Sequence, residues 1–511
     1  MKLKLERFLN VFTKISFSFF FVWIFIMLIG FSYRTYPLKR TFILSNITIL
    51  VIILFFFLFM MLIHRNTDYK KKKKTDYDKI VKIMFIAFIP IQIFLFYNGF
   101  FETDWDPGNT IIPTARAIID GGKINNFYYS IYSNNLLITS FFALILKISK
   151  FINPFGNDLM NIVVINSIIS SVSSYLVYKI GCKLLNKKYA FIGYIISIFV
   201  LVLSPWNMIY YSDSLGLLFP ILIFYLYLSN INRKVKWPLI SFISYIAYLI
   251  KPQSSLIFFA LVVVGLVRNF DINKYKKLIP SVLISLGLIL GLHFSLNQLY
   301  KIEGFKFNDK YKINFTHYLY IGANDMSSGL YNETDFSKSI MNKNSRERTK
   351  NNLDGYFDRV KDYGVVGYFN FLSKKILVNF NDGTFAWGTM GLFYYKVSDS
   401  VTPLSSGIRD IYYNYGKYYK QSSTLQHMIW ILIITLITMH SIFSIIDLLK
   451  KKKINYNELV IILTLVFVVI FQLLFEGRAR YLYVNMPLFI LMMLYGLKDI
   501  NSIKIKNKKV K

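Results

Sequence analysis

Three carboxylates occupy alternate positions in the segment Phe101-Glu102-Thr103-Asp104-Trp105-Asp106-Pro107-Gly108. The chain has 27 acidic residues against 60 lysines and arginines, so a cluster of acids is unusual in it. Alternate residues of an extended segment point to the same side, which predicts that Glu102, Asp104 and Asp106 share one face. Such a set could hold a divalent cation such as Mg²⁺ or Mn²⁺, or one carboxylate could take a proton from an attacking hydroxyl. The alternative is a group of solvated acids, or acids that cap the next helix.

Basic residues suited to an anion occur much later in the chain. Arg478 and Arg480 lie in the segment Phe475-Glu476-Gly477-Arg478-Ala479-Arg480-Tyr481, and Lys251 directly precedes a proline. A guanidinium group is a planar fork that fits a phosphate, whereas a lysine offers a point charge. The alternative for the arginines, and similarly for Lys251, is that they only extend their charged ends to a membrane interface.

The elements that would position these residues are membrane-spanning helices. Hydrophobic residues make up 55% of the 511 residues, and charged residues make up only 17%. A bilayer core requires about 20 apolar residues for each helical span, and runs of that kind recur from residues 11–30, 42–63 and 80–97 onward. The sequence therefore predicts an all-α polytopic membrane protein with about 12 spans. The single cysteine, Cys182, excludes an intrachain disulfide.

Charge placement predicts how these helices are oriented. Lysine and arginine collect in short cytoplasmic loops beside anionic lipid, so the net charge of +33 indicates a membrane protein rather than a partner of nucleic acid. Basic clusters at the N-terminus, at Lys70–Lys74 and in the tail from residue 498 onward predict that both termini are cytoplasmic. If the apolar run at residues 134–152 crossed the membrane, every later loop would invert. It is therefore predicted to lie in the outer interface, or to dip into the membrane and return.

This topology divides the chain into four parts. Residues 1–79 hold two N-terminal spans and a basic cytoplasmic loop, and residues 80–298 form a membrane core that contains the first outer loop, residues 99–135. Residues 299–425 form an extracytoplasmic region of short helices, and residues 426–511 form the last spans and the cytoplasmic tail. The acidic cluster and the later basic residues are then predicted to lie at the outer ends of helices.

The order of these segments resembles the GT-C superfamily of membrane glycosyltransferases, which includes the protein O-mannosyltransferases and the bacterial lipid A aminoarabinose transferases. The resemblance runs from about residue 80 to 498. It rests on the acidic loop, a short helix that stops at Gly121, and similar segments around residues 128–135, 204–213, 251–253, 316–325, 381–384 and 475–487. The sequence departs from the family at Pro107, where many relatives carry glutamate.

The resemblance implies that a sugar is transferred from a polyprenyl-phosphate carrier to a glycan, lipid or protein of the cell envelope, on the extracytoplasmic side. Asp106 matches the catalytic acidic residue of the family, and Asp104 is the second choice. The base would deprotonate the acceptor hydroxyl, and a single displacement would invert the anomeric centre. Arg478, Arg480 and Lys251 would then hold the carrier phosphate.

The resemblance also implies further contacts. Asp213 would orient the acceptor or a metal, and any metal would be bound by Asp104, Asp106 and Asp213. Substrate contacts are also predicted for Glu102, His317, Tyr128, Tyr132 and Trp387. The alternatives are a satisfied surface side chain for the histidine and interfacial packing for the aromatic residues. A flippase or exporter of lipid-linked sugars is the rival function, although it would need charges near the bilayer centre. A non-catalytic scaffold of envelope assembly is a second rival.

Overall fold

The computed structural model describes residues 1–34, 42–66, 75–152, 157–268, 279–341, 344–388, 394–397 and 402–509. The lysine run at residues 70–74, on which part of the predicted orientation depends, lies outside the described residues. The described residues are almost entirely helical. The first helices are α1 (Lys2–Gly30), α2 (Asn46–Asn66), α3 (Tyr77–Asn98), α4 (Ile112–Asp120), α5 (Asn126–Ile131), α6 (Leu136–Ile152), α7 (Asp158–Leu184), α8 (Lys187–Ser197), α9 (Ser212–Gly216) and α10 (Leu218–Tyr227).

The second half of the chain continues in the same way. Its helices are α11 (Arg233–Ile250), α12 (Leu256–Arg268), α13 (Ile279–Ile302), α14 (Phe315–Gly322), α15 (Glu333–Met341), α16 (Ser345–Phe380), α17 (Pro403–Tyr412), α18 (Tyr419–Leu449), α19 (Tyr456–Leu474) and α20 (Met486–Lys509). Two short strands, β1 (Phe101–Thr103) and β2 (Tyr394–Val397), pair antiparallel. This pairing joins the acidic loop to the region 299–425.

Most of the long helices are apolar enough to cross a membrane. In the described residues, eight helices are long and apolar enough to cross a bilayer: α1, α3, α6 with the turn before it, α7, α13, α18, α19 and α20 with the turn before it. Shorter apolar helices lie at Asn46–Phe57, Ser212–Tyr227 and Pro252–Arg268. Side-chain oxygens of asparagines cap the starts of α7, α8, α11 and α19, where backbone N–H groups lack a helical partner. The prediction of an all-α polytopic membrane protein is confirmed.

The helix ends form two opposite ends of the bundle. At the end that we call the lysine end, Asp78 of α3 pairs with Lys187 of α8, and Arg268 lies over the Tyr456 ring at 4.9 Å from its centroid. Helix α3 then runs 22 residues to Asn98, about 33 Å away at 1.5 Å per residue. We call that opposite end the site end, because the acidic loop begins there.

Helix α6 has both of its ends at the site end. Ser140 in its first turns donates to Glu303, just beyond the end of α13, and Ser149 in its last turns accepts a bond from Asn161 in the first turns of α7. Lys150 also pairs with Asp120 of α4 at 2.7 Å. By length and composition α6 could cross a bilayer, but a crossing helix cannot keep both ends on one side. These contacts agree with the prediction that residues 134–152 lie in the outer interface, or dip into the membrane and return.

The region 299–425 was predicted to contain short helices. Helices α14, α15 and α17 have 8, 9 and 10 residues, whereas α16 covers 36 residues as two helices that meet at a break at Gly364 (φ 58°). The first part of α16 is rich in charged residues and its last part is buried, so its apolar residues follow no common face. The buried part enters the bundle, where Trp23 of α1 donates to Ser373 at 3.2 Å.

A wide helical turn at Ile198–Val202 positions residues 203–211, which we call the second loop of the site end. The Val202 carbonyl accepts from the Gln92 amide of α3 at 2.5 Å, and the Leu201 carbonyl accepts from Asn207 at 2.7 Å. A backbone carbonyl without a partner would be unfavourable among apolar side chains. The two amides therefore fix the place where the chain leaves α8 and enters the loop that leads to α9, which carries Asp213.

Candidate functional site

The acidic loop turns sharply after β1. Trp105 has a φ of 58°, in the left-handed region that bulky residues rarely adopt. A Cβ atom on Gly108 would lie 1.5 Å from the Thr103 carbonyl oxygen, so only glycine fits there. The chain is extended as far as Thr103 and has right-handed helical backbone angles from Asp106. The prediction that Glu102, Asp104 and Asp106 share one extended face is therefore wrong, because the chain turns between them.

Asp104 holds this turn together. Its Oδ1 accepts hydrogen bonds from the backbone N–H of Trp105 and from the side-chain amide of Asn109, both at 2.7 Å. Glu102 lies opposite Lys396 in the strand pair, and its side chain points away from those of its strand neighbours. The predicted roles of Glu102 and Asp104 stay predictions, but the local bonds of Asp104 show how the turn presents Asp106.

Asp106 faces the second loop of the site end. The Tyr211 hydroxyl donates to Oδ2 of Asp106 at 3.3 Å. The adjacent Tyr210 hydroxyl accepts the backbone N–H of Thr103 at 2.6 Å, so two neighbouring tyrosines join the two loops. Burial raises the pKa of Tyr211 well above its ordinary value, and the negative charge of Asp106 raises it further. The Tyr211 hydroxyl is therefore a permanent hydrogen-bond donor at neutral pH.

Three charged groups that were predicted separately meet behind Tyr211. The Asp213 side chain is 0% exposed and pairs with the Lys251 ammonium, while its Oδ2 lies 3.8 Å from Nη1 of Arg480. At that separation two opposite unit charges attract by about 4 kcal/mol at an effective dielectric constant of 20. We call Asp213, Lys251 and Arg480 the buried triad. With both basic groups protonated, it carries one net positive charge.

Aromatic rings surround the Arg480 guanidinium. Its central carbon lies 4.4 Å from the Trp105 ring centroid, 5.5 Å from that of Tyr481 and 5.7 Å from that of Tyr211. Such contacts stabilise a cation and fix its plane. Nε and Nη1 of Arg480 are buried without a hydrogen-bond partner among the described residues. Two unused donors beside a net positive charge are the features that bind an oxyanion such as phosphate.

The segment that carries Arg480 also contains a carboxylate that the sequence analysis did not single out. We call residues 475–485, which join α19 to α20, the arginine strap. Glu476 accepts from Nε of Arg478 at 3.2 Å and from the Tyr481 hydroxyl at 3.4 Å. Trp105 was also missed as a site residue. Trp105 lies between two candidate acids in the sequence, and Glu476 lies beside two candidate arginines. These positions could have indicated that both residues belong to the site.

Tyrosines lie between the acidic loop and the arginine strap. Burial raises the pKa of Tyr132 and of Tyr318, and the negative charges of Asp106 and Glu476 act on both hydroxyls. Burial likewise raises the pKa of Tyr128, which Asp106 also influences. Tyr128 and Tyr132 are thus within electrostatic reach of Asp106, and their contact with a substrate stays a prediction; Tyr318 was not predicted. All three hydroxyls stay protonated at neutral pH.

Two predicted substrate contacts lie away from this cluster. His317 is buried, and the Phe336 ring lies 6.0 Å from both the His317 and the Tyr132 rings, so the histidine is one layer behind the tyrosine. Burial lowers the pKa of His317 to about 4. The alternative of a surface histidine is therefore wrong. Trp387 is a core residue, because its Nε1 donates to the Tyr412 carbonyl at 2.7 Å inside an aromatic cluster.

The carboxylates of the site are dispersed. In the part of the chain that the structure describes, no three acidic, histidine or cysteine side chains converge to hold a metal. Asp104, Asp106 and Asp213, the ligands predicted for such an ion, each bond a different neighbour. A divalent cation stays a prediction.

Comparison with known families agrees with the membrane character of the fold. The family described as conserved hypothetical integral membrane protein matches residues 5–500. The chain belongs to this family. The match includes every residue of the candidate site, and it confirms an integral membrane protein. The family description names no reaction, so the likeness to GT-C enzymes rests on the sequence segments alone. No curated protein matches the chain.

Proposed function

We propose that the protein is a GT-C-type glycosyltransferase that moves a sugar from a polyprenyl-phosphate carrier to an acceptor at the site end of the bundle. The observation that carries the proposal is the state of Arg480. Its guanidinium is buried among three aromatic rings and lies behind a carboxylate–tyrosine pair, and its Nε and Nη1 make no hydrogen bond among the described residues, although Nη1 lies 3.8 Å from Oδ2 of Asp213. In this proposal the carrier phosphate accepts hydrogen bonds from Nε and Nη1 of Arg480.

Asp106 is the base of the proposed reaction. It takes the proton from the acceptor hydroxyl, whose oxygen then forms a bond to the anomeric carbon. The bond between that carbon and the phosphate oxygen breaks, and polyprenyl phosphate leaves with the electron pair. One displacement of this kind inverts the anomeric centre, and the proton on Asp106 passes to solvent. The hydrogen bond from Tyr211 holds the carboxylate in place for this step.

The basic residues have different roles in this scheme. Lys251 was predicted to bind the phosphate, but its ammonium holds Asp213, and we propose that this pair orients Arg480. Arg478 is bonded to Glu476 and is 19% exposed, so it suits a second contact with the phosphate. Acceptor selection falls to the tyrosines between Asp106 and Glu476, because their protonated hydroxyls can donate hydrogen bonds to a polyhydroxylated molecule.

We propose that the site end faces away from the cytoplasm and that both termini are cytoplasmic. Basic residues gather at the lysine end, where Lys187, Arg268 and residues 450–453 lie. We propose twelve crossings in the described residues: seven membrane-length helices other than α6, three shorter apolar segments, and α8 and α11. These are α1, α2, α3, α7, α8 with its wide turn, α9 with α10, α11, α12, α13, α18, α19 and α20.

A transfer assay with purified protein tests the proposal. The protein is incubated with polyprenyl-phosphate sugars, with and without Mg²⁺ or Mn²⁺, and release of the carrier is measured. We expect Asp106→Asn to lower the rate by about 10²–10⁴-fold, and Arg480→Gln to weaken donor use. Arg116→Lys is the control, since Arg116 is 42% exposed and pairs with Asp158 at the same end. An unchanged rate in Asp106→Asn would refute the base assignment. Movement of the donor between leaflets without carrier release would favour a flippase.

A further inference from the structure

Lys375 is a fully buried cation that joins two distant segments. It lies in the second part of α16 and is 0% exposed. Its Nζ donates to the Gly322 carbonyl at the end of α14 and to the Phe475 carbonyl at the start of the arginine strap, both at 2.7 Å. One ammonium group therefore ties the region 299–425 to the segment that carries Arg478 and Arg480.

The same two segments also meet through their backbones. The Glu476 N–H donates to the Tyr318 carbonyl at 2.8 Å, and the Gly477 N–H donates to the Gly329 carbonyl at 2.9 Å. The contact is too close for added side chains, because a Cβ atom on Gly322 would lie 2.5 Å from the Leu474 carbonyl oxygen. The first residues of the arginine strap are therefore held on α14 and on the turn that follows it.

The Lys375 side chain fills the centre of this contact. A Cβ atom on Gly329 would lie 2.7 Å from Cε of Lys375, so the lysine stem packs directly on the turn. A buried ammonium is tolerated only when its N–H groups are hydrogen-bonded. Both of the carbonyls that meet this need belong to the two segments being joined. Loss of Lys375 would leave two buried carbonyls without that donor, one on each segment.

We propose that Lys375 is a positioning residue: it fixes the start of the arginine strap on the region 299–425 and thereby sets the positions of Arg478 and Arg480. It touches neither arginine in this role and acts through the backbone of residues 475–477. The inference rests on the proposed function only for the identity of the anion that Arg480 binds. A change in the region 299–425 would be transmitted to the anion site by this contact.

Two measurements test the proposal in the full chain. The first is limited trypsin digestion, because cleavage after Arg478 or Arg480 requires a released strap and no bound anion. The second is the Kd of polyprenyl phosphate, added in detergent micelles to the folded protein. Lys375→Met keeps the length of the side chain and removes the donors, while Lys375→Arg keeps donors. Arg348→Met is the matched control, since Arg348 is a buried cation in the same region that donates to the Lys310 and Lys312 carbonyls instead of the strap.

We expect Lys375→Met to speed cleavage within the strap by at least about tenfold and to raise the Kd by a similar factor. Lys375→Arg should recover part of both losses, and Arg348→Met should change neither by more than about twofold, even if it lowers the unfolding temperature. Equal cleavage of the strap in Lys375→Met and Arg348→Met, or none in either, would overturn the proposal.

Should Lys375→Met fail to fold, Lys375→Gln, which keeps N–H donors on a shorter side chain, tests the same contact. If wild-type protein shows the expected cleavage pattern but neither binds polyprenyl phosphate nor transfers sugar, the proposed function fails while the positioning role stands.

Discussion

The buried triad predicts a large effect of one substitution on unfolding. Asp213→Asn keeps the shape of the side chain but removes its charge, so Lys251 and Arg480 stay buried as two like charges. Removing one partner of a buried pair typically costs about 3–5 kcal/mol. The attraction of about 4 kcal/mol worked out for Arg480 at 3.8 Å is of the same order. We expect the variant to lose about 3–5 kcal/mol of its free energy of unfolding.

A double-mutant cycle shows whether that loss comes from the charge. Lys251→Met alone leaves Asp213 beside Arg480 as a neutral pair, so its cost should be smaller than that of Asp213→Asn. The double variant keeps only one buried cation, and we expect it to be more stable than Asp213→Asn alone.

Unfolding in detergent, followed by tryptophan fluorescence against denaturant concentration, measures all three variants. Glu102→Gln removes a more exposed carboxylate at the same end and serves as the control. The idea of a coupled buried triad would be refuted if the losses of unfolding free energy in the two single variants simply added in the double variant. It would also be refuted if Asp213→Asn unfolded at the same denaturant concentration as the wild type.

Three other properties follow from the same geometry. His317→Gln should reduce the loss of stability in acid. Burial lowers the pKa of His317 in the folded protein to about 4, so the unfolded state takes up the proton first. The wild type therefore loses up to about 3 kcal/mol of its free energy of unfolding as the pH falls from 6.5 to 4. Unfolding curves at pH 7 and pH 4 measure this, and an equal loss in both proteins would contradict it. Tyr211→Phe should lower the rate of sugar transfer by about tenfold without abolishing it, because a hydrogen bond to a charged group contributes about 1.5–3 kcal/mol; a rate equal to that of Asp106→Asn would speak against a supporting role. In a Cys182→Ser background, Lys123→Cys and Lys150→Cys should react with an impermeant thiol reagent from one side and Lys187→Cys from the other, and labelling of Lys150→Cys together with Lys187→Cys would place α6 across the membrane.

Much of the helical architecture follows from the sequence, because apolar runs of membrane length are a strong local signal. The contacts at both ends of α6 agree with the charge pattern, since the basic loops after α6 stay on one side only if it does not cross. The length of α16 could not be predicted from the sequence. Its charged first part and buried last part share no periodic pattern, and what holds the last part in the bundle is contact with α1 and with the arginine strap.

The candidate site was predictable as a set of residues but not as an arrangement. Asp106 and Arg480 stood out by residue type, and the charge pattern put them at the same end. The pairing of Asp213 with Lys251 and Arg480 depends on contacts between residues far apart in the chain, and no local pattern encodes them. The left-handed turn at Trp105 is likewise imposed by its surroundings, since tryptophan by itself disfavours that conformation.

The position of Arg480 near the end of the chain has a consequence for biosynthesis. Asp106, Asp213 and Lys251 emerge from the ribosome long before Arg480, whose segment leads into the last helix. Until that helix inserts, Asp213 and Lys251 can neutralise each other, and the acidic loop has no guanidinium to stack on Trp105. A chain released before residue 475 would therefore hold a balanced ion pair but no anion site, and would be inactive without carrying an unpaired buried charge.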